Sequence, residues 1–195
     1  MSGAYRTIVA DPPWPLKMGS RRTAKSTSVT WNAHHDVRAV PYKTMTLGEI
    51  AELPVVDLAA EGAHIYVWTI NKFLEDTFEI VRGWGFNPGQ TLVWAKSPMG
   101  LGPGGAFAQT SEYVIFGRRG TAPHQQRIDR TVFDWKRPYG PDGKPAHSAK
   151  PDAFLDMVEQ VSPGPYVELF ARRARFGWDY WGDQSLGTAE LGSAA

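Results

Sequence analysis

Cysteine is absent from this chain, which excludes disulfides and thiolate metal sites. Long hydrophobic runs are absent too. No segment approaches the roughly 18 consecutive apolar residues of a membrane span, and Met1 to Tyr5 hold no apolar run of signal-peptide length. A soluble cytoplasmic protein is the expectation. Charge of one sign is also lacking. Twenty-one Lys and Arg oppose 20 Asp and Glu, a net of +1, so the chain as a whole is no polycation.

What is present fits a globular protein. Apolar residues make up 42% of the 195 and charged residues 21%, ordinary proportions for a folded domain with a sizeable core. Aromatics are abundant at 12%, with eight tryptophans. Burial is the default for each, but eight exceed what a core of this size needs and suggest a recognition surface. One domain over residues 1–186, followed by a disordered tail at 187–195, is expected.

The charges cluster. Residues 17–43 carry six basic side chains (Lys17, Arg21, Arg22, Lys25, Arg38, Lys43) against Asp36. Residues 118–137 carry six more, including Arg118, Arg119, Lys136 and Arg137, against Asp129 and Asp134. Both stretches are polar and poorly periodic, so they read as loops. Basic loops beside an apolar scaffold can hold a phosphate backbone, and they can equally be solvated surface.

Near-continuous apolar runs predict strands at residues 7–10, 64–69, 91–95, 113–116 and 166–170, the pattern of parallel strands buried on both faces. Helical patterns lie between them. Thr46-x-x-Glu49 is a capping-box signature for a helix closed before Pro54. Phe73, Leu74, Phe78 and Val81 give residues 72–84 a helical face. Pro151 suits a first helical position, followed by Phe154, Leu155, Val158 and Val161. This alternation predicts an open α/β sheet, Rossmann-like in the broad sense, with ligands outside the carboxyl ends of the strands.

Two apparent motifs do not qualify. Residues 100–105, G-L-G-P-G-G, spell a dinucleotide fingerprint, but four residues separate them from the preceding strand and no helical pattern follows. His34-His35 lacks a third ligand at a metal spacing, so no metal site is expected.

The informative stretch is Ile8-Val9-Ala10-Asp11-Pro12-Pro13-Trp14. A strand that ends in a proline turn would account for Asp-Pro alone. The full tetrapeptide adds chemistry. Prolines have no N–H, and an ionised Asp11 only accepts, so carbonyls and carboxylate form a patch of acceptors with few donors. Such a patch suits a ligand that brings its own donors, such as an exocyclic amino group. Trp14 supplies a flat face of the kind on which bases stack. The implied ligand is a planar base with an amino group, adenine or cytosine. The Asp11 carboxylate and the Pro12 carbonyl would hold its two N–H bonds and aim the nitrogen lone pair at an electrophile.

Asp11-Pro12-Pro13-Trp14 at the end of an apolar strand resembles motif IV of the amino-methyltransferases. The DPPW spelling is similar to the adenine-N6 methyltransferase (MT-A) family, which includes the catalytic subunit of the eukaryotic mRNA adenosine methyltransferase and bacterial and phage members. The likeness runs from about Thr7 to Gln184. It takes in Pro41-Tyr42-x-Thr44-Met45, Tyr66-Val67-Trp68-Thr69, Leu92-Val93-Trp94-x-Lys96 and Glu112-Tyr113. It continues through His147-Ser148-x-Lys150-Pro151-Asp152, Glu168-Leu169-Phe170-Ala171-Arg172 and Gly177-Trp178-Asp179.

The resemblance implies a class I methyltransferase fold with circularly permuted motif order and S-adenosyl-L-methionine as cofactor. It places Asp11 at the amino group and the methionine end of the cofactor, with Pro12, Pro13 and Trp14 completing the catalytic tetrapeptide. Trp14 and Tyr42 would wall the base pocket, Glu112 would line it, and Lys150 would meet the cofactor carboxylate or the substrate edge. Glu168 and Arg172 would frame the ribose, and Asp183 and Gln184 the adenosine portion. Family members commonly carry Gly-Asn where this chain has Gly182-Asp183, and an ionised aspartate cannot donate as asparagine does. A basic insert at residues 121–144 also departs from the shortest members.

The expected activity is methyl transfer to the N6 amino group of adenine in DNA, with RNA close behind, on a flipped or single-stranded base. The alternative is a non-catalytic member that binds nucleic acid or a partner subunit. A homodimer or a related partner, no membrane association, and a prokaryotic or phage-encoded cytoplasmic setting complete the expectations.

Overall fold

The computed structural model describes residues 3–16, 43–96, 107, 109–140, 143, 149–182. His34-His35, residues 17–42 with Tyr42, the glycine run at 100–105, His147-Ser148, Asp183, Gln184 and the tail at 187–195 lie outside the described residues.

Among the described residues, seven strands form one mixed sheet in the order β5-β3-β4-β2-β1-β6-β7. They are β1 (Tyr5–Ala10), β2 (Ala59–Thr69), β3 (Asn87–Ala95), β4 (Ser111–Arg119), β5 (Val132–Phe133), β6 (Tyr166–Leu169) and β7 (Trp178–Trp181). β1 is central and runs parallel to both neighbours, pairing Ala10 with Val67 of β2 and with Leu169 of β6. The two chain directions away from β1 diverge there, so its carboxyl end opens the crevice in which α/β sheets bind ligands.

A mostly parallel sheet was expected, and β4 is its antiparallel member. It lies antiparallel to both β2 and β3. An apolar run reports that a strand is covered on both faces, not which way it points. The α/β expectation itself holds, with a mostly parallel sheet and helices on both faces.

Side-chain alternation divides the core in two. Ile8, Ala10, Ile65, Val67, Ile115, Val167 and Leu169 point to one face and pack with Ile50, Val55, Ile80, Val81 and Trp84. Those partners come from α1 (Leu47–Ala51), α2 (Val55–Leu58) and α3 (Leu74–Gly83), with Trp84 directly after α3. Val9, Tyr66, Trp68, Trp94 and Val114 point the other way, against α4 (Asp152–Val161), which buries Phe154, Leu155, Met157 and Val158. At roughly 1.5–3 kcal/mol for each buried side chain, those four contacts anchor α4 to the sheet.

Local signals explain several boundaries. Thr46 forms the expected capping box, accepting from the Glu49 N–H while the Glu49 carboxylate accepts from its own. A 3-10 turn at Asn71–Phe73 precedes α3, so the helical face read at 72–84 is a turn plus a helix. Pro151 is extended at ψ 136°, and α4 begins one residue later than expected. Trp68 and Trp94 are buried, as expected for strand tryptophans.

The end of the sheet opposite the β1 crevice is locked by a buried polar chain. His64 Nε2 lies 2.9 Å from the Ala122 carbonyl, and Nδ1 lies 2.7 Å from Ser162 Oγ. A carbonyl only accepts, so Nε2 carries the proton and Nδ1 accepts from Ser162. Tyr66, 2.7 Å from the same Oγ, must then be the donor to it. Every hydrogen in the chain is thereby fixed.

Candidate active site

The β1 strand delivers Asp11 to the crevice, and its register with β6 continues one step further. The Asp11 N–H reaches the Leu169 carbonyl at 3.4 Å. Two three-residue turns follow. The Trp14 N–H bonds the Pro12 carbonyl at 2.9 Å, and the Leu16 N–H bonds the Trp14 carbonyl at 2.7 Å. Pro13 and Pro15 stand at the turn centres and have no N–H to offer. The donors of this segment are therefore either missing or turned inward. The acceptors left in this segment are the Asp11 carboxylate and the second lone pair of the Pro12 carbonyl, which already accepts one bond.

The turn is pinned from two sides. The Met45 N–H, at the entry to α1, donates to the Pro13 carbonyl at 2.9 Å. Trp14 is 6% exposed, stacks on Phe73 at 5.4 Å, and donates its indole N–H to the Trp68 carbonyl at 3.0 Å. It is more a core anchor than an open platform, with at most one ring face left for a base.

Asp11, Pro12, Trp14, Glu112, Lys150 and Arg172 are among the residues that line one cavity of about 340 Å³. Residues from the start of the chain, from β4 and from beyond β6 thus converge. Glu168 lies beside this lining, between Val9 of β1 and Tyr180 of β7. Leading out of β6, Phe170 adopts φ 64° and lines the cavity. A left-handed aromatic residue costs about 1–2 kcal/mol, and such backbone gathers at functional sites.

The polar centre is a row of alternating charges. Lys150 Nζ donates to both oxygens of Asp11 at 2.8 Å and stands 3.5 Å from Glu112 Oε2. The other oxygen of Glu112 accepts from Lys96. These four side chains are between 15% and 19% exposed. The two ammonium groups also face aromatic rings, Lys150 over Trp68 at 5.2 Å and Lys96 over Trp94 at 4.6 Å.

Burial acts against each charge, and the partners decide the outcome. For Lys150, burial pulls the ammonium down, but Asp11 and Glu112 outweigh it and hold the pKa above the ordinary lysine value. For Glu112, burial pushes up, but Lys150 and Lys96 outweigh it and hold the carboxyl below the ordinary range. For Lys96, burial wins over Glu112, with Lys150 and Arg137 repelling as well, so its pKa is lowered. Glu168 is pushed up to about 7, first by burial and then by the charge of Asp11. It is poised to be neutral or charged near neutral pH.

Lys96 was not singled out from sequence as a site residue. Its partner Glu112 is 16 positions away, and the two meet because Trp94 pairs with Glu112 across the β3–β4 ladder.

The second basic stretch does not act as one loop, contrary to expectation. Arg118 and Arg119 belong to β4 and pair with His64 and Ala63. That is six residues of strand from Thr69, roughly 20 Å from the crevice. The chain then returns through β5, and Trp94 donates its indole N–H to the Trp135 carbonyl at 2.9 Å. Lys136 and Arg137 follow directly, so only this end of the stretch approaches the charged row. Among the described residues no cluster could hold a metal ion, and no helix is long and apolar enough to cross a membrane.

The chain is similar in sequence to known proteins. The type II methyltransferase M.MunI of Mycoplasma sp. is 29% identical over 185 residues, covering 91% of this chain and 76% of that protein. A putative N(6)-adenosine-methyltransferase MT-A70-like protein of Medicago truncatula is 28% identical over 194 residues, covering 95% of this chain but 27% of its own length. The human N(6)-adenosine-methyltransferase catalytic subunit METTL3 is 24% identical over 178 residues, covering 87% and 26%. This chain therefore spans about a quarter of the plant and human relatives. The model of one methyltransferase family, MT-A70, matches residues 5–184, the whole sheet included, and the chain belongs to the MT-A70 family.

Proposed function

We propose that this protein transfers a methyl group from S-adenosyl-L-methionine to the exocyclic N6 amino group of adenine in a polynucleotide. The observation that carries this reading is the wall of acceptors at Asp11 and Pro12, whose neighbouring N–H groups are absent or turned inward. An amino group with two N–H bonds complements such a wall. Each Asp11 oxygen keeps a lone pair after accepting from Lys150. The carboxylate can therefore orient the amino nitrogen without first taking its proton, and catalysis rests on orientation and electrostatics.

The chemistry of the site fits the cofactor. Asp11 and Glu168 offer negative charge toward a sulfonium and toward ribose hydroxyls, and Lys150 and Arg172 offer positive charge toward a carboxylate. When bound, S-adenosyl-L-methionine supplies an electrophilic methyl group. Glu112 at the cavity wall limits the substrate side. The duplex hides the amino group, so the base enters flipped out or from a single strand. DNA is the first choice of substrate, because M.MunI is the relative whose length this chain spans most fully among those compared, and RNA is the second.

The test is incubation with labelled S-adenosyl-L-methionine and mixed DNA and RNA, followed by nucleoside mass spectrometry. N6-methyladenine is expected in one of the two. Asp11→Ala is expected to abolish transfer while the protein stays folded, and retained activity in that variant refutes the role of Asp11. Calorimetry with the cofactor separates this reading from a non-catalytic partner subunit, which would show no binding.

A further inference from the structure

We infer that Lys96 is a positioning residue for methyl transfer, acting through Glu112 to keep Lys150 committed to Asp11. The inference rests on the function proposed above and extends it to a residue outside the cavity lining.

The geometry sets out a competition. Lys150 stands between two carboxylates, at 2.8 Å from Asp11 and 3.5 Å from Glu112. Both are shielded from water, so an unneutralised Glu112 would draw the same ammonium away from Asp11. Lys96 removes that pull by bonding the other Glu112 oxygen. Its own place is fixed from three directions. Its backbone N–H donates to the Thr110 carbonyl at 2.8 Å, its ammonium lies over Trp94, and the β3–β4 register sets it beside Glu112. Trp94 is held in turn by its bond to the Trp135 carbonyl. Glu112 thus has its first partner in Lys96, Lys150 keeps its shorter contact with Asp11, and Asp11 keeps one orientation.

A buried lysine with no such task is an unneeded cost, because apolar packing would replace a buried ion pair without loss of stability. The groups that face the row come from every element around it. They are Asp11 after β1, Lys96 after β3, Glu112 on β4, Arg137 after β5, Lys150 before α4, and Glu168 and Arg172 around β6.

Lys96→Gln removes the cation while keeping a donor. The expected result is a fall in kcat on the order of 100-fold, the scale of a displacement of about 1 Å at a reacting group, with the KM for cofactor little changed. Lys96→Arg restores most of kcat. In Lys96→Gln the Glu112 carboxyl, followed by 13C NMR, titrates at higher pH than in the wild type. The acid limb of the kcat profile moves up with it.

Neutralising Glu112 removes the competition, so Lys96→Gln is expected to add little further loss in a Glu112→Gln background. That double variant also carries no unpaired charge if the single variant folds poorly. An unchanged Glu112 titration in folded Lys96→Gln, or equal kcat losses in the presence and absence of Glu112, overturns the inference. The NMR titration needs no turnover. A wild type that shows the coupling without methylating adenine refutes the proposed reaction, whereas methylation without the coupling refutes the role of Lys96 alone.

Discussion

Lys150→Met tests whether charge, rather than packing, holds the centre of the site together. The substitution keeps the length and apolar stem of the side chain and deletes the ammonium. At 2.8 Å from Asp11 and an effective dielectric of about 20, one ammonium–carboxylate attraction amounts to roughly 6 kcal/mol. Desolvation of both partners cancels part of that. Removing one member of a buried pair costs about 3–5 kcal/mol net, and exposures of 18% and 16% leave little solvent screening. Against a total stability of about 5–15 kcal/mol, the loss is large.

Urea unfolding at pH 7 should show the midpoint falling by roughly 1.5–2.5 M for an m-value of about 2 kcal/mol/M. The effect depends on pH in a definite direction. Lys150 and Lys96 hold Glu112 below the ordinary carboxylate value of 4.5. The stability they confer is fully present above that value and is lost as pH falls through the lowered pKa. Wild type and variant should therefore converge in acid. A deficit that stays constant as pH is lowered through the acid titration of Glu112, or one below about 1 kcal/mol at pH 7, would refute the electrostatic account.

Two further outcomes follow from groups with shifted pKa. Burial, with repulsion from Arg118, His124 and Arg6, holds His64 below its ordinary 6.5 despite the bond to the Ala122 carbonyl. The unfolded chain then takes up a proton that the folded chain refuses, so stability is complete above about pH 6.5 and declines below it. Urea midpoints at pH 7.5 and 5.5 should show that decline in the wild type and a smaller one in His64→Gln, and equal declines would refute it. Glu168 titrates at about 7 in the folded protein against an ordinary 4.5, so stability falls as pH rises between those values. Glu168→Gln should be more stable than wild type at pH 8, by at most about 3 kcal/mol, with the difference vanishing below about pH 4. A constant difference across that range would point to packing instead.

The sequence was most legible where one physical rule acts locally. The Thr46–Glu49 box, the faces of α3 and α4, and the five main strands all follow from capping or periodicity. Asp11 is legible because a carboxylate and two prolines ending an apolar strand need an explanation. Elements with too few residues for a period were missed: α2 over four residues, β5 over two and β7 over four. The direction of β4 was hidden because burial on both faces looks alike for either direction. The Lys96–Glu112 pair was hidden for a related reason. It is a property of the β3–β4 register, and a hairpin reading of Trp94-x-Lys96 against Glu112 is the signal that would have exposed it.

Trp68 meets four parts of the molecule at once. Its carbonyl takes the Trp14 indole, its ring faces Trp94, Trp135 and Phe154 edge-on, and Lys150 lies over it. A smaller residue there would leave the carbonyl that holds the proline turn but would unsettle the returning insert, α4 and the central cation together. Sequence drift at this position is therefore confined to concerted change. Among diverged relatives, replacement of this ring should be accompanied by compensating substitutions at positions 94, 135 and 154.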